Sequence, residues 1–223
     1  MFRKKRYKVY LFRHGQTTHN RDGKFTGQSE ARLTEKGRAD ARAIARKLRG
    51  KKFQVAIHTR LSRSKETLKI VLKNHPECVI LIEDNRMIER SYGELEGTTH
   101  DQFIDRIGRQ EYDLRVQGDA LVDIEDPRKI KWIEWFLGNE EYKAIHRGWA
   151  VAAPGGESFA DVEKRVRRFI KDLKKFVRKN KVNVAISAHG NSIRLFRKIV
   201  ERASKEEATR WFIPYDKVFE YEF

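Results

Sequence analysis

The chain has 223 residues and a formal net charge of +17, from 49 Lys and Arg against 32 Asp and Glu. Apolar residues make up 39% and include four Trp, seven Tyr and 13 Phe, enough to bury a core and so to exclude global disorder. The single cysteine, Cys78, excludes an intrachain disulfide and a multi-thiolate metal centre, and points to a reducing, cytoplasmic setting.

No stretch approaches the roughly 20 apolar residues of a membrane helix. The run Val9–Phe12 behind the basic start is too short for a secretory leader. A soluble protein without a membrane partner is therefore expected. The positive excess attracts anions, either nucleic acid or a phosphorylated metabolite, unless it resides in ion-paired helix faces. Finger spacing, the RRM aromatic motif and a GXXG loop are all missing, and basic residues are spread along the chain, so no dedicated nucleic-acid role is expected.

In chain order, Lys8–Phe12 reads as a buried strand that ends at Arg13-His14-Gly15. Leu33-Thr34-Glu35-Lys36-Gly37 opens a helix whose inner stripe is Ala41, Ile44, Ala45 and Leu48, with Gly50 as its stop. Phe53–His58 is a second strand, Arg63–Lys73 a second helix and Cys78–Glu83 a third strand. From Thr98 to Ala152 the pattern changes to an insertion with helices near 101–109 and 128–137, folded over one end of the sheet. Trp132, Trp135 and Phe136 are expected to pack it against the core. Ser158–Lys179 is the strongest helix, opened by a Ser158/Asp161 pair resembling a capping box. Val182–Ser187 is a central strand running into His189-Gly190. A helix from Asn191, a short one near Lys205–Trp211 and a strand Val218–Phe223 follow. The alternation predicts an α/β fold in three layers, with a largely parallel sheet and ligands bound beyond its carboxyl ends.

Each strand end presents a chemically active group: Arg13 and His14, Arg60 and Arg63, Glu89, and His189. Together these suit phosphoryl transfer through a histidine. A neutral imidazole, His14, serves as nucleophile. Arg13, Arg63 and His189 surround the spread charge of the transferred group. Glu89 protonates the leaving oxygen, which is worth about 10²–10⁴-fold. Arginines and a histidinium supply the positive charge, so no metal is expected.

These residues resemble the histidine phosphatase superfamily, and within it the cofactor-dependent phosphoglycerate mutases. The likeness is carried by Leu11–Thr17 with Asn20 and Phe25-Thr26-Gly27, by Leu33–Gly37, by Thr59-x-Leu61-x-Arg63-Ser64-x-x-Thr67, by Glu89-Arg90-x-Tyr92-Gly93 with Gly97, and by Ala188–Ser192 with Arg194. It implies one domain over 1–223 with 98–152 as a helical cap. It also implies a phosphohistidine at His14 and substrate contacts from Asn20, Thr26, Gly27, Arg90, Tyr92 and Asn191. A 2,3-bisphosphoglycerate primer and a small phosphorylated substrate are implied too, and a homodimer is left open.

The superfamily contains both mutases and phosphatases. The acid loop, Ala188–Ser192 and the ending Trp211–Phe223 resemble the mutases. Against this, His100 stands where the mutases usually place a Lys, Arg147 is the one loose candidate for their paired arginines, and Pro154–Ser158 resembles the phosphatase-like branch. Interconversion of 3- and 2-phosphoglycerate is the leading expectation, and a phosphomonoesterase is the alternative. Among the remaining residues, His58 reads as structural and His75 as a turn residue. His19 is open between site and surface, Glu157 is a candidate second carboxylate, and Arg165, Arg167 and Arg168 read as a solvated helix face.

Overall fold

The computed structural model describes residues 6–118, 120, 121 and 124–223. The basic start over residues 1–5, and residues 119, 122 and 123 of the cap, lie outside them. The five strands are β1 (Lys8–Arg13), β2 (Val55–His58), β3 (Ile80–Glu83), β4 (Val184–Ala188) and β5 (Val218–Glu222). They form one sheet in the order β3-β2-β4-β1-β5. All neighbours are parallel except β5, which runs antiparallel to β1. The helices are α1 (Thr18–Arg21), α2 (Glu35–Leu48), α3 (Ser62–Leu72), α4 (His100–Gln117), α5 (Pro127–Arg147), α6 (Phe159–Asn180), α7 (Gly190–Glu201) and α8 (Lys205–Arg210).

Side chains alternate across the pleat and divide the core in two. Val9, Leu11, Val184 and Ile186 pack on α6 and α7 through Val166, Phe169, Ile193 and Phe196. Tyr10, Phe12, Ala56 and Ala185 pack on α2 and α3 through Ile44, Leu48, Leu68 and Val71. This gives the expected three layers. The Ser158/Asp161 pair caps α6 reciprocally, as its spacing predicts. At the edge of the sheet, β3 leaves Ile80 and Leu81 exposed.

The cap helices are longer than the sequence suggested, and their packing corrects one expectation. Trp132, Trp135 and Phe136 are 62%, 51% and 44% exposed and do not pack against the core. The reason is the way α4 meets α5. A Cβ on Gly108 would lie 2.0 Å from the Glu134 carbonyl oxygen, and one on Gly138 would lie 2.0 Å from that of Ile104. The two helices thus approach backbone to backbone at these glycines. This turns Gly138 and Ile145 of α5 inward, and Trp132 and Phe136 stack on each other outside, with ring centroids 5.7 Å apart. A third apolar cluster, of Phe25, Tyr92, Leu95, Phe103, Ile104 and Ile145, joins the cap to the loops above the sheet.

A second close approach fixes the loop after β1. A Cβ on Gly15 would meet the Gly37 oxygen at 2.0 Å, and one on Gly37 would meet the Gln16 oxygen at 2.0 Å. The first turn of α2 is therefore pressed onto the Arg13-His14-Gly15 segment. Gly37→Ala should cost about 2–4 kcal/mol, because backbone has to move. Urea unfolding checks this, and an unchanged midpoint would contradict the packing.

Candidate active site

The parallel register sets the centre of the site. Arg13 on β1 pairs with Ala188 on β4, so the next residues, His14 and His189, leave the sheet side by side. Their ring centroids are 4.9 Å apart. Both side chains are buried. His14 Nδ1 lies 2.8 Å from the Gly15 carbonyl oxygen, to which it can only donate, so the lone pair is on Nε2. Burial, then the Arg63 and Arg13 charges, holds His14 well below the usual histidine value. Burial, then Arg63, His14 and Arg13, does the same for His189. The His189 Nε2 lies 2.7 Å from the Thr59 hydroxyl, and its Nδ1 has no hydrogen-bond partner among the described residues.

Two guanidinium groups flank the imidazoles. Arg63, from the first turn of α3, is buried and donates to the carbonyls of Gly27 and Ser29, both at 2.7 Å. Burial lowers its pKa to about 10 against the opposing pull of Glu89. Arg13 donates to the Ile213 carbonyl at 3.0 Å and lies over the Tyr215 ring, 4.1 Å from its centroid. The Nε atoms of both arginines are buried and without a partner among the described residues. These orphaned donors beside His14 fit a phosphoryl group, which offers several acceptor oxygens.

Glu89 accepts from the backbone N–H of Arg90 at 2.7 Å and from that of Asn191, in the first turn of α7, at 3.1 Å. A Cβ on Gly190 would lie 3.5 Å from both Glu89 Oε2 and Arg13 Cζ, so the start of α7 sits against both the acid and the arginine. Above this floor is a cavity of about 130 Å³, lined by Arg13, Asn20, Lys24, Phe25, Thr26, Gly27, Glu89, Tyr92, His100, His146, Gly190, Asn191 and Arg194. His14, Arg63 and His189 lie outside this lining. The Asn20 Oδ1 accepts from the Thr17 N–H and hydroxyl in the cap of α1, which leaves the amide NH₂ for the cavity. The Thr26 hydroxyl is buried without a partner among the described residues.

Arg90 departs from its expected place on the cavity wall. It is buried behind Tyr92, its guanidinium 4.5 Å from the ring centroids of both Tyr92 and Phe159, and it donates to the Ile145 carbonyl at 3.0 Å. Arg147 donates to the Thr209 carbonyl at 2.6 Å and does not line the cavity. Arg165 was read as part of a solvated face, and the structure corrects this. It donates to the carbonyls of Arg86, Ile88 and Glu89 at 2.8–3.0 Å and pairs bidentately with Glu157. Glu157 in turn accepts from the Ser91 N–H at 3.0 Å and the Gln28 amide at 3.3 Å. The pair thus holds the acid loop from behind and takes no place on the cavity wall. His19 is half-buried off the wall, His58 bonds the neighbouring Thr59 carbonyl, and His75 is buried against Phe53.

Sequence reasoning missed Lys24 and His146 as wall residues, and gave Arg194 only as part of a motif. Lys24 directly precedes Phe25-Thr26-Gly27, so a cation beside that motif was the available signal. His146 carried none, because its position depends on the length of α5. Burial, then Arg147 and Arg90, pushes its pKa down to about 2, and burial also lowers that of His100. Among the described residues no cluster of three or more His, Cys, Asp and Glu could hold a metal ion, and no helix is long and apolar enough to cross a membrane.

The buried neutral imidazoles make stability depend on pH. Above about 6.5 a histidine is neutral both in the native and in the unfolded chain and contributes nothing to the difference. Below 6.5 the unfolded chain binds protons that native His14, His146 and His189 resist. Stability should fall between pH 7 and 5.5 by about 1–1.5 kcal/mol for each such histidine, and the fall should be one share smaller in His146→Phe. Urea unfolding at the two pH values tests this, and equal stability at both would contradict it.

The model of the histidine phosphatase superfamily (branch 1) matches residues 9–131 and 134–223. The 2,3-bisphosphoglycerate-dependent phosphoglycerate mutase 2 of Gloeobacter violaceus is 32% identical over 210 residues, 93% of this chain and 81% of the relative. The corresponding mutase of Mesorhizobium japonicum is 33% identical over 206 residues, 91% and 85% of the two chains. Among solved structures, a phosphoglycerate mutase from Bacillus anthracis superposes with a TM-score of 0.69 at 18% identity, covering 99% of this chain and 89% of its own. A putative alpha-ribazole-5'-P phosphatase from Escherichia coli gives 0.65 at 23% identity, covering 91% and 83%. These two share the fold. The chain is an enzyme, and it belongs to branch 1 of the histidine phosphatase superfamily.

Proposed function

We propose that the protein moves a phosphoryl group through a phosphohistidine at His14 and interconverts 3-phosphoglycerate and 2-phosphoglycerate. One observation carries the transfer chemistry: a neutral, oriented imidazole at a paired strand end lies beside the buried guanidinium of Arg63 and the half-buried one of Arg13. The His14 Nε2 lone pair attacks phosphorus and the bond to the leaving oxygen breaks. Arg13, Arg63 and His189 hold the equatorial oxygens, and Glu89 gives its proton to the leaving oxygen. In the return step the acceptor hydroxyl loses its proton to the Glu89 carboxylate and its oxygen attacks the phosphohistidine, which restores neutral His14.

Asn20, Thr26, Gly27, Tyr92 and Asn191 bind the substrate from the wall, and Arg90 supports Tyr92 by stacking. The orphaned donors around His14 fit a bisphosphorylated glycerate, which would supply the priming phosphoryl group. The mutase choice is supported by the relatives at about 32% identity over more than nine-tenths of the chain.

A phosphomonoesterase acting on small phosphorylated metabolites is the second reading, favoured by His100 and by the engagement of Arg147 with Thr209. A paired assay on 3-phosphoglycerate, with and without 2,3-bisphosphoglycerate, separates the two. The mutase reading expects primer-dependent 2-phosphoglycerate with little free phosphate. Phosphate release without isomerisation would overturn it in favour of the phosphatase.

A further inference from the structure

We propose that Glu96, which lies outside the cavity lining, is a positioning residue for phosphoryl transfer: its carboxylate staples the loop that holds Arg63 to the loop that carries Glu89 and Tyr92. This rests on the phosphoryl-transfer reading of the site. The stems of the two loops are joined by backbone. The Gly97 N–H donates to the Phe25 carbonyl at 2.8 Å, and the Phe25 N–H donates to that of Thr98 at 3.0 Å. Farther along, at residues 27–29 and 91–92, the connection among the described residues passes to side chains.

Glu96 makes this connection with one oxygen. Its Oε1 accepts from the Gln28 N–H at 2.9 Å, the Tyr92 N–H at 3.0 Å and the Ser91 hydroxyl at 3.1 Å. All three donors are neutral, and neither N–H has another partner among the described residues. Both would lose their acceptor if the carboxylate withdrew. Gly27 makes room for it. The glycine has a φ of +49°, in the left-handed region, and a Cβ there would overlap Glu96 Oε1.

The Gln28 N–H belongs to the same peptide unit as the Gly27 carbonyl, which accepts from Arg63 Nη2 at 2.7 Å. A peptide unit is planar, so holding its N–H also aims its carbonyl. Glu96 therefore sets the direction of one of the two carbonyls that hold Arg63 beside His14. On the other loop it holds the N–H of Tyr92, whose side chain lines the cavity together with Glu89. Glu157 joins the same two loops, through the Gln28 amide and the Ser91 N–H, but it is paired with Arg165. Glu96 joins them through the backbone on both sides. Transfer needs the guanidinium and the acid in register around one phosphoryl group, and the staple couples their positions.

Single-turnover labelling from phosphate-labelled 2,3-bisphosphoglycerate, read beside amide hydrogen exchange by NMR, tests the staple in two variants. Glu96→Gln gives up the charge but keeps the reach and an accepting oxygen. Glu96→Asp keeps the charge but is one methylene too short to span both loops. At saturating donor, Glu96→Gln should label within about threefold of the wild-type rate and Glu96→Asp about 10–100-fold more slowly. Exchange at the Gln28 and Tyr92 amides should quicken in Glu96→Asp and stay slow in Glu96→Gln. A Gln variant as slow as the Asp variant, or an Asp variant at the wild-type rate, would overturn the positioning role. Free exchange of both amides in wild type would overturn it as well, which keeps the test valid if Glu96→Asp fails to fold. A wild type that takes no label, with both amides quickened in Glu96→Asp, would support the staple and overturn the phosphohistidine reading instead.

Discussion

Burying the Arg63 guanidinium beside two imidazoles is electrostatically costly, and the rest of the molecule is arranged to make that possible. Arg63 gives up water and receives the carbonyls of Gly27 and Ser29. Arg13 receives the Ile213 carbonyl and the face of Tyr215. None of these partners carries a full negative charge, so the positive potential persists. The same burial that lowers the pKa of Arg63 also lowers those of His14 and His189. A cationic surrounding and a neutral nucleophile are therefore two results of one desolvated location.

The scaffold brings distant residues to this place by simple means. The parallel pairing of β1 with β4 joins residues 175 positions apart, placing His189 next to His14. The backbone contact of Gly15 with Gly37 sets the turn that follows. The acid arrives on a loop with no regular strand to hold it, and Arg165 with Glu157 takes over that role through the carbonyls of Arg86, Ile88 and Glu89. Gln28 links this clamp to the loop that supplies the carbonyls for Arg63, since it donates to the Glu89 carbonyl at 3.2 Å. Glu89 and Arg63 are thus held by one hydrogen-bonded frame.

Much of this was legible in the sequence. The strand ends at Arg13-His14 and Ala188-His189 could be read because short apolar runs stop abruptly at polar, glycine-containing turns. The layers followed from the strand–helix alternation and from the inner stripes of α2 and α6. What could not be read depends on tertiary contacts. Arg165 lies on a helix of charged residues and differs from Arg167 and Arg168 only in facing the acid loop. Trp132 and Phe136 looked like core because they are large and apolar, yet the glycines at 108 and 138 decided which face of α5 turned inward. His146 and Arg194 reach the wall by helix length and packing, which local periodicity does not report.

The central claim is that His14 carries the phosphoryl group, and the most direct measurement is to trap it there. Wild-type enzyme would be incubated with phosphate-labelled 2,3-bisphosphoglycerate, quenched in alkali, digested and analysed by mass spectrometry. The account predicts an acid-labile, alkali-stable label on His14 that is absent from His14→Ala. A label on any other residue, or one retained by that variant, would contradict it.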